Sequence, residues 1–131
     1  MLHDDRQLLL AIVEDDASYR RSLGRLCRLL GFTTSEFASG AEFLTALDST
    51  FRRFDCLVID KMMPRMTGLE LHAILQDRGL SVPAVMITGD ADAQTRTSCA
   101  VAGLPCLEKP IRADTLRAVI MQTVRRHAAS H

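Results

Sequence analysis

Three stretches of the chain, residues 8–13, 56–59 and 84–87, are unbroken runs of apolar side chains, and each stops at a hydrophilic residue: Glu14, Asp60 and Thr88. A strand with one wet face alternates apolar and polar residues, so runs without alternation belong in a parallel sheet covered on both faces. Two shorter strands are predicted at 32–37 and 106–107, the second running into Glu108, Lys109 and Pro110.

Helical periodicity fills the intervals. From 17 to 30, Tyr19, Leu23, Leu26, Cys27 and Leu30 recur at helical spacing with arginines on the other face; Asp16 is a candidate N-cap, and Gly31 closes the helix. Ser39 is placed to cap a helix over 40–47, and the spacing of Leu69, Leu71, Ile74 and Leu75 predicts another over 68–77, followed by Gly79. A helix over 93–102 carries Thr95, Thr97 and Ser98, which makes it the weakest and the one expected to be mobile. The last runs over 114–126 with Leu116, Val119, Ile120 and Val124 on its apolar face.

Five strands alternating with five helices imply right-handed crossovers and a doubly wound α/β fold around a parallel sheet. At 131 residues the chain suits one core, burying roughly two-thirds of its unfolded surface. In such a sheet the strand C-termini share one edge, where ligands collect. Glu14, Asp15, Asp60, Thr88 and Lys109 each directly follow a strand, so the fold gathers them although they are far apart in the chain.

Carboxylates about 4 Å apart repel by roughly 4 kcal/mol at an effective dielectric of 20, so three in one cleft raise one another's pKa values or recruit a cation. Oxygen-only ligands that leave coordination positions for water suit Mg²⁺. An unprotonated aspartate beside Mg²⁺ is a nucleophile for phosphoryl transfer. Lys109 would then contact a phosphate oxygen as a point charge, and the rotatable Thr88 hydroxyl would close on another once phosphate is present.

Glu14-Asp15, Asp60 within D-x-x-M-P-x-M-x-G, Thr88-Gly89 and Lys109-Pro110 together resemble the signature of a two-component response-regulator receiver domain. "TGDADA" and "LEKPI" are most similar to its FixJ-type branch. The resemblance covers nearly the whole chain and implies a flavodoxin/CheY-like (βα)₅ fold with strand order 2-1-3-4-5, one receiver over residues 1–131 and no output domain in this chain. It makes Asp60 the phosphoacceptor, Asp15 a direct Mg²⁺ ligand, Glu14 a ligand through water and the Met62 backbone carbonyl a further ligand. Pro110 is expected to follow a cis peptide bond. The implied donor is a phosphohistidine on a sensor histidine kinase or phosphotransfer protein. A homodimer through the fourth helix, fifth strand and fifth helix is a further expectation, as is DNA contact only through an output domain.

The chain also departs from the family pattern. Cys106 stands where receivers commonly place tyrosine or phenylalanine, so the switching surface is expected to change by another rearrangement or only weakly. Met62 and Asp90 lie two residues beyond Asp60 and Thr88, where receivers govern access of the hydrolytic water. Met62 has no group to orient that water, which predicts an acyl phosphate lasting minutes or longer.

Plainer readings compete at each position. Asp60 alone could cap a turn, the acids at 14–16 could be helix caps, and Met62, Met63 and Met66 read as loop and core packing. Cys27, Cys56, Cys99 and Cys106 form no C-x-x-C pair and read as buried, reduced thiols. Arg20, Arg21, Arg25 and Arg28 are a solvated helix face, part of which is available to a kinase. His127 and His131 fall in a tail expected to fray. Sixteen basic and sixteen acidic residues leave no net field to favour nucleic acid, and no apolar run approaches a membrane span; a cytoplasmic location is expected. Two alternatives stand beside the phosphorylation switch: a degenerate receiver acting only through its surface, and an aspartyl-phosphate phosphatase, whose second acid would occupy the place of Met62.

Overall fold

The computed structural model describes residues 7–49 and 53–130. Strands β1 (Leu9–Val13), β2 (Thr33–Phe37), β3 (Cys56–Asp60), β4 (Ala84–Thr88) and β5 (Cys106–Glu108) alternate with helices α1 (Ala17–Leu29), α2 (Gly40–Asp48), α3 (Gly68–Asp77), α4 (Ala93–Ala102) and α5 (Ala113–Ser130). All four pairings are parallel, in the order β2-β1-β3-β4-β5. This is the doubly wound CheY-like arrangement the sequence predicts.

Alternation along the central strands divides the core into two layers. Leu10 and Ile12 of β1, Cys56 and Val58 of β3, and Val85 and Ile87 of β4 pack with Leu23 and Cys27 of α1 and Leu116 and Ile120 of α5. Their neighbours Ala11, Val13, Leu57, Ile59, Ala84 and Met86 pack on the opposite face with Phe43 of α2, Leu71 and Leu75 of α3, and Cys99 of α4. A cluster of Phe37, Phe43 and Phe54, with ring centroids 5.3–5.9 Å apart, fills one end of that second layer.

The caps follow the local sequence. Asp16 accepts from the Tyr19 amide at 2.9 Å and Ser39 from the Glu42 amide at 3.0 Å. Thr67 and Glu70 form a capping box at the start of α3, a T-x-x-E signal that the sequence reading passed over. Gly31, Gly79 and Gly103 take positive φ where α1, α3 and α4 end. The helix α4 forms despite its threonines, capped by Asp92 and burying Thr95 and Cys99.

Three expectations are corrected. The last helix does not fray at Arg126: its arginines and alanines are good helix formers, it continues to Ser130, and His127 Nε2 lies 2.9 Å from the Ser81 carbonyl oxygen. His131 lies outside the described residues. Met62 is not core packing but 63% exposed, whereas Met63 is buried and Met66 packs against the core. Cys106 is half-buried, while Cys27, Cys56 and Cys99 are buried free thiols as expected. Burial pushes the thiols of Cys27 and Cys56 up to about 12, which keeps them protonated. Among the described residues, no helix is long and apolar enough to cross a membrane.

Gly68 sets how closely α3 approaches the strand that bears Asp60. A Cβ there would lie 2.7 Å from the Asp60 carbonyl oxygen and 2.6 Å from Met86 Sδ. The thioether can move, but the backbone carbonyl cannot without disturbing β3. Gly68→Ala is therefore expected to cost about 1–3 kcal/mol, as overpacking does, measured by urea unfolding, and to shift the Asp60 amide resonance.

Candidate functional site

Main-chain bonds continue the sheet past its strand ends and fix the backbone of the site. The Glu14 amide donates to the Phe37 carbonyl at 3.0 Å, Lys61 to Ile87 at 2.8 Å and Lys109 to Thr88 at 2.8 Å. The alternation of side chains then decides which groups meet. Glu14, Asp60 and Lys109 continue the parity of Ile12, Val58 and Leu107, the layer covered by α1 and α5. Thr88 continues the parity of Met86, on the other face.

Glu14 and Asp60 are buried, at 0% and 5% exposure, while Asp15 is exposed. One carboxylate oxygen from each of Glu14, Asp15 and Asp60 lies within 4.8 Å of the others. Lys109 Nζ donates to Glu14 Oε1 at 2.9 Å and sits 3.5 Å from Asp60 Oδ2. The second oxygen of Asp60 accepts from the Met62 amide at 3.2 Å, and that of Glu14 from the Asp16 amide at 3.2 Å.

The balance of charge is incomplete: three carboxylates face one ammonium. Burial raises the pKa of Glu14 above the usual carboxylate range, and its hydrogen bond with Asp60 raises it further; Lys109 opposes the shift without cancelling it. Asp15 is raised by desolvation and by its bond with Glu14. Burial alone would lower Lys109, but the bond to Glu14 and the charges of Asp60 and Glu14 outweigh it, so the ammonium is held above its usual range. Such a set of hard oxygen donors with unspent negative charge fits a divalent cation such as Mg²⁺.

Other predicted residues surround this cluster. The Thr88 hydroxyl is engaged with its own loop, donating to the Asp90 carbonyl and accepting from the Asp90 amide, both at 3.2 Å. Asp90 is exposed, and the Lys109–Pro110 peptide bond is cis. The structure does not bring Cys106 to the cluster; it packs on the opposite layer, where its thiol meets that of Cys99.

Two contributors escaped the sequence reading. Tyr19, counted there only as part of an apolar stripe, has its ring centroid 4.1 Å from Lys109 Nζ. Arg20, read as solvated, donates from Nη1 to the Glu14 carbonyl at 2.8 Å and pairs with Glu36 at 3.9 Å. Gly24 makes room for that carboxylate, since a Cβ there would clash with Glu36 Oε2. The available signal was their position, three and four residues after Asp16, the cap that follows the acidic pair.

The comparisons with known proteins agree with this geometry. The chain matches the response regulator receiver domain family over residues 10–121, and it belongs to that family. A receiver domain is a signalling module of two-component systems rather than a conventional enzyme. The chain is 36% identical over 118 residues to nodulation protein W of Bradyrhizobium diazoefficiens, covering 87% of this chain and 50% of that protein. It is 32% identical over 115 residues to the transcriptional regulatory protein FixJ of the same organism, covering 87% and 55%. A crystal structure of a response regulator receiver protein from Burkholderia phymatum superposes with a TM-score of 0.80 at 31% identity, covering 91% of this chain and 96% of that one. The chain thus spans about half the length of the curated relatives it matches, which include FixJ-type regulators.

Because the ionised forms of Glu14 and Asp15 are disfavoured without a cation, Asp15→Asn is expected to raise the urea midpoint of the metal-free protein. Mg²⁺ at a hundredfold its dissociation constant should stabilise the wild type by about 2.7 kcal/mol, and Asp15→Asn should lose most of that increment. Urea unfolding in EDTA and in Mg²⁺ checks both; equal increments would show that the ion does not bind at Asp15.

Proposed function

We propose that the chain is a phosphorylation-dependent switch that accepts a phosphoryl group on Asp60 from a phosphohistidine of a sensor histidine kinase or phosphotransfer protein. The observation that carries this reading is the meeting of Glu14, Asp15 and Asp60 around Lys109 at the C-terminal edge of the sheet. An Asp60 oxygen attacks phosphorus, the P–N bond to the imidazole breaks with its electron pair leaving on nitrogen, and an acyl phosphate forms.

Each neighbour has a role set by its place. Lys109 supplies charge to one phosphoryl oxygen, exchanging its bond to Glu14 for one to the phosphoryl group. The Met62 amide holds Asp60 Oδ1, which orients the carboxylate for in-line attack. Thr88 must release Asp90 before its hydroxyl can turn to a phosphoryl oxygen, and this release moves the loop between β4 and α4. Arg96 and Glu108 brace that loop, Arg96 Nε donating to the Ala91 carbonyl at 2.8 Å and Glu108 accepting from the Ala91 amide at 3.5 Å. Glu14, Asp15, Asp60 and the Met62 carbonyl would hold Mg²⁺, which supplies positive charge to the transferring phosphoryl oxygens.

The output is a changed protein-binding surface around α4 and β5, including a homodimer through α4, β5 and α5. Cys106 lacks the aromatic ring that receivers commonly swing inward, so the signal travels through Thr88 and its loop. This substitution is also what favours the second reading, a receiver that works through its surface without phosphorylation. A phosphohistidine donor on a sensor kinase implies a cytoplasmic location shared with that kinase, and DNA contact, where it occurs, belongs to a further domain.

Incubation with acetyl phosphate and Mg²⁺, followed by intact mass, separates the readings. The wild type is expected to gain one phosphoryl group and Asp60→Asn none, with the adduct decaying over minutes or longer because exposed Met62 cannot orient water. An unmodified wild type, or an equal gain in both proteins, would sink the switch; decay within seconds would sink the reading of Met62.

A further inference from the structure

We infer that Tyr19 is a positioning residue for phosphoryl transfer: its ring holds the Lys109 ammonium between Glu14 and Asp60 and lets it pass from Glu14 to the phosphoryl oxygen. The inference rests on the receiver reading of Asp60 and extends it to a residue on α1.

The contact follows from the local sequence and the sheet. Asp16 caps α1 by accepting from the Tyr19 amide at 2.9 Å, which fixes Tyr19 in the first turn beside the acidic pair. Side-chain parity turns Lys109 to the face of the sheet that α1 covers, where Tyr19 packs against the core layer. The half-buried ring then lies 4.1 Å from Nζ, well inside the range of about 6 Å for an ammonium over an aromatic face.

Lys109 needs such a support. A lysine carries a compact charge on a flexible four-carbon stem, and here it stands one residue beyond β5, a strand of three half-buried or exposed residues. Its polar contacts are uneven, 2.9 Å to Glu14 and 3.5 Å to Asp60, so the carboxylates alone would draw it toward Glu14. The ring adds a third contact to the ammonium, 4.1 Å from its centroid, that depends on neither carboxylate. A π face attracts an ammonium without fixing a hydrogen-bond direction, so the lysine can exchange one oxygen partner for another while keeping the ring contact.

The composition of the chain makes the test direct. Tyr19 is its only tyrosine, there is no tryptophan, and Lys61 and Lys109 are its only lysines. In protein labelled with ¹³C at lysine Cε, the Lys109 methylene protons are expected upfield of those of Lys61 through the ring current of Tyr19. Tyr19→Phe keeps the shielding and Tyr19→Leu abolishes it. With acetyl phosphate and Mg²⁺, Tyr19→Leu is expected to slow modification of Asp60 by roughly three- to tenfold, and Tyr19→Phe to stay within about twofold of the wild type, the range for a partly exposed cation–π contact. Unshielded Lys109 protons in the wild type, or a Tyr19→Leu protein modified at the wild-type rate, would overturn the inference and leave the receiver reading standing. A wild type that takes no phosphoryl group would overturn both, whatever the shielding.

Discussion

Repulsion among three carboxylates is the constraint to which the rest of this structure answers. Glu14, Asp15 and Asp60 present oxygens within 4.8 Å of one another, two of the three side chains are buried, and Lys109 neutralises one charge. At an effective dielectric of about 20, each like-charged pair at this distance costs roughly 3–4 kcal/mol. Such a cluster cannot hold itself together, so the sheet must do so. The amides of Glu14, Lys61 and Lys109 are bonded into neighbouring strands beyond the regular ladder, and the apolar runs behind them are sealed by helices on both faces.

The same repulsion gives the site its chemistry. Negative charge left over after Lys109 is a standing demand for a cation, and under the proposed function a phosphoryl group brought in with that cation would meet charge already arranged for it. The Thr88 hydroxyl, tied to Asp90, is held in reserve on the opposite parity. Its loop is braced by Arg96, which belongs to α4, and by Glu108, so under the proposed function a change at the hydroxyl would reach α4 through these contacts. Cys106, packed with Cys99, stands where receivers commonly carry an aromatic, so under the proposed function the loop itself would carry the change.

On the other side of the sheet, α1 contributes more than a cover. Its first turn carries Tyr19 over the lysine and Arg20 under the Glu14 carbonyl, with Gly24 leaving space for Glu36 to hold Arg20. The acidic pair and its supports therefore belong to one short segment, in which the cap at Asp16 sets the rotation of the helix. A helix face that reads as core stripe and solvated arginine is, at its first turn, part of the site.

The fold was legible because uninterrupted runs such as Cys56–Ile59, too short for a buried helix, suit a doubly covered strand, and because the helices between them call for right-handed crossovers. The acids and lysine were legible because each directly follows such a run. Element ends were read less well where the sequence carries no stop signal: α5 continues through Arg125–Ser130 because nothing there breaks a helix, and Ser81, distant in sequence, gives His127 a partner. The exposure of Met62 depends on how the chain turns after Asp60, which neighbouring residues do not fix.

By itself, then, the sequence determined the kind of each element and the strand end at which each ionisable group emerges, since period and termination are local properties of the chain. The tertiary structure alone decided which groups touch: Lys109 on Glu14 and under Tyr19, Thr88 turned to Asp90, Cys106 packed with Cys99. Those contacts depend on strand order, on the parity of each side chain and on the rotation of α1. All three are set by burying two faces of one sheet at once, a condition no single segment carries.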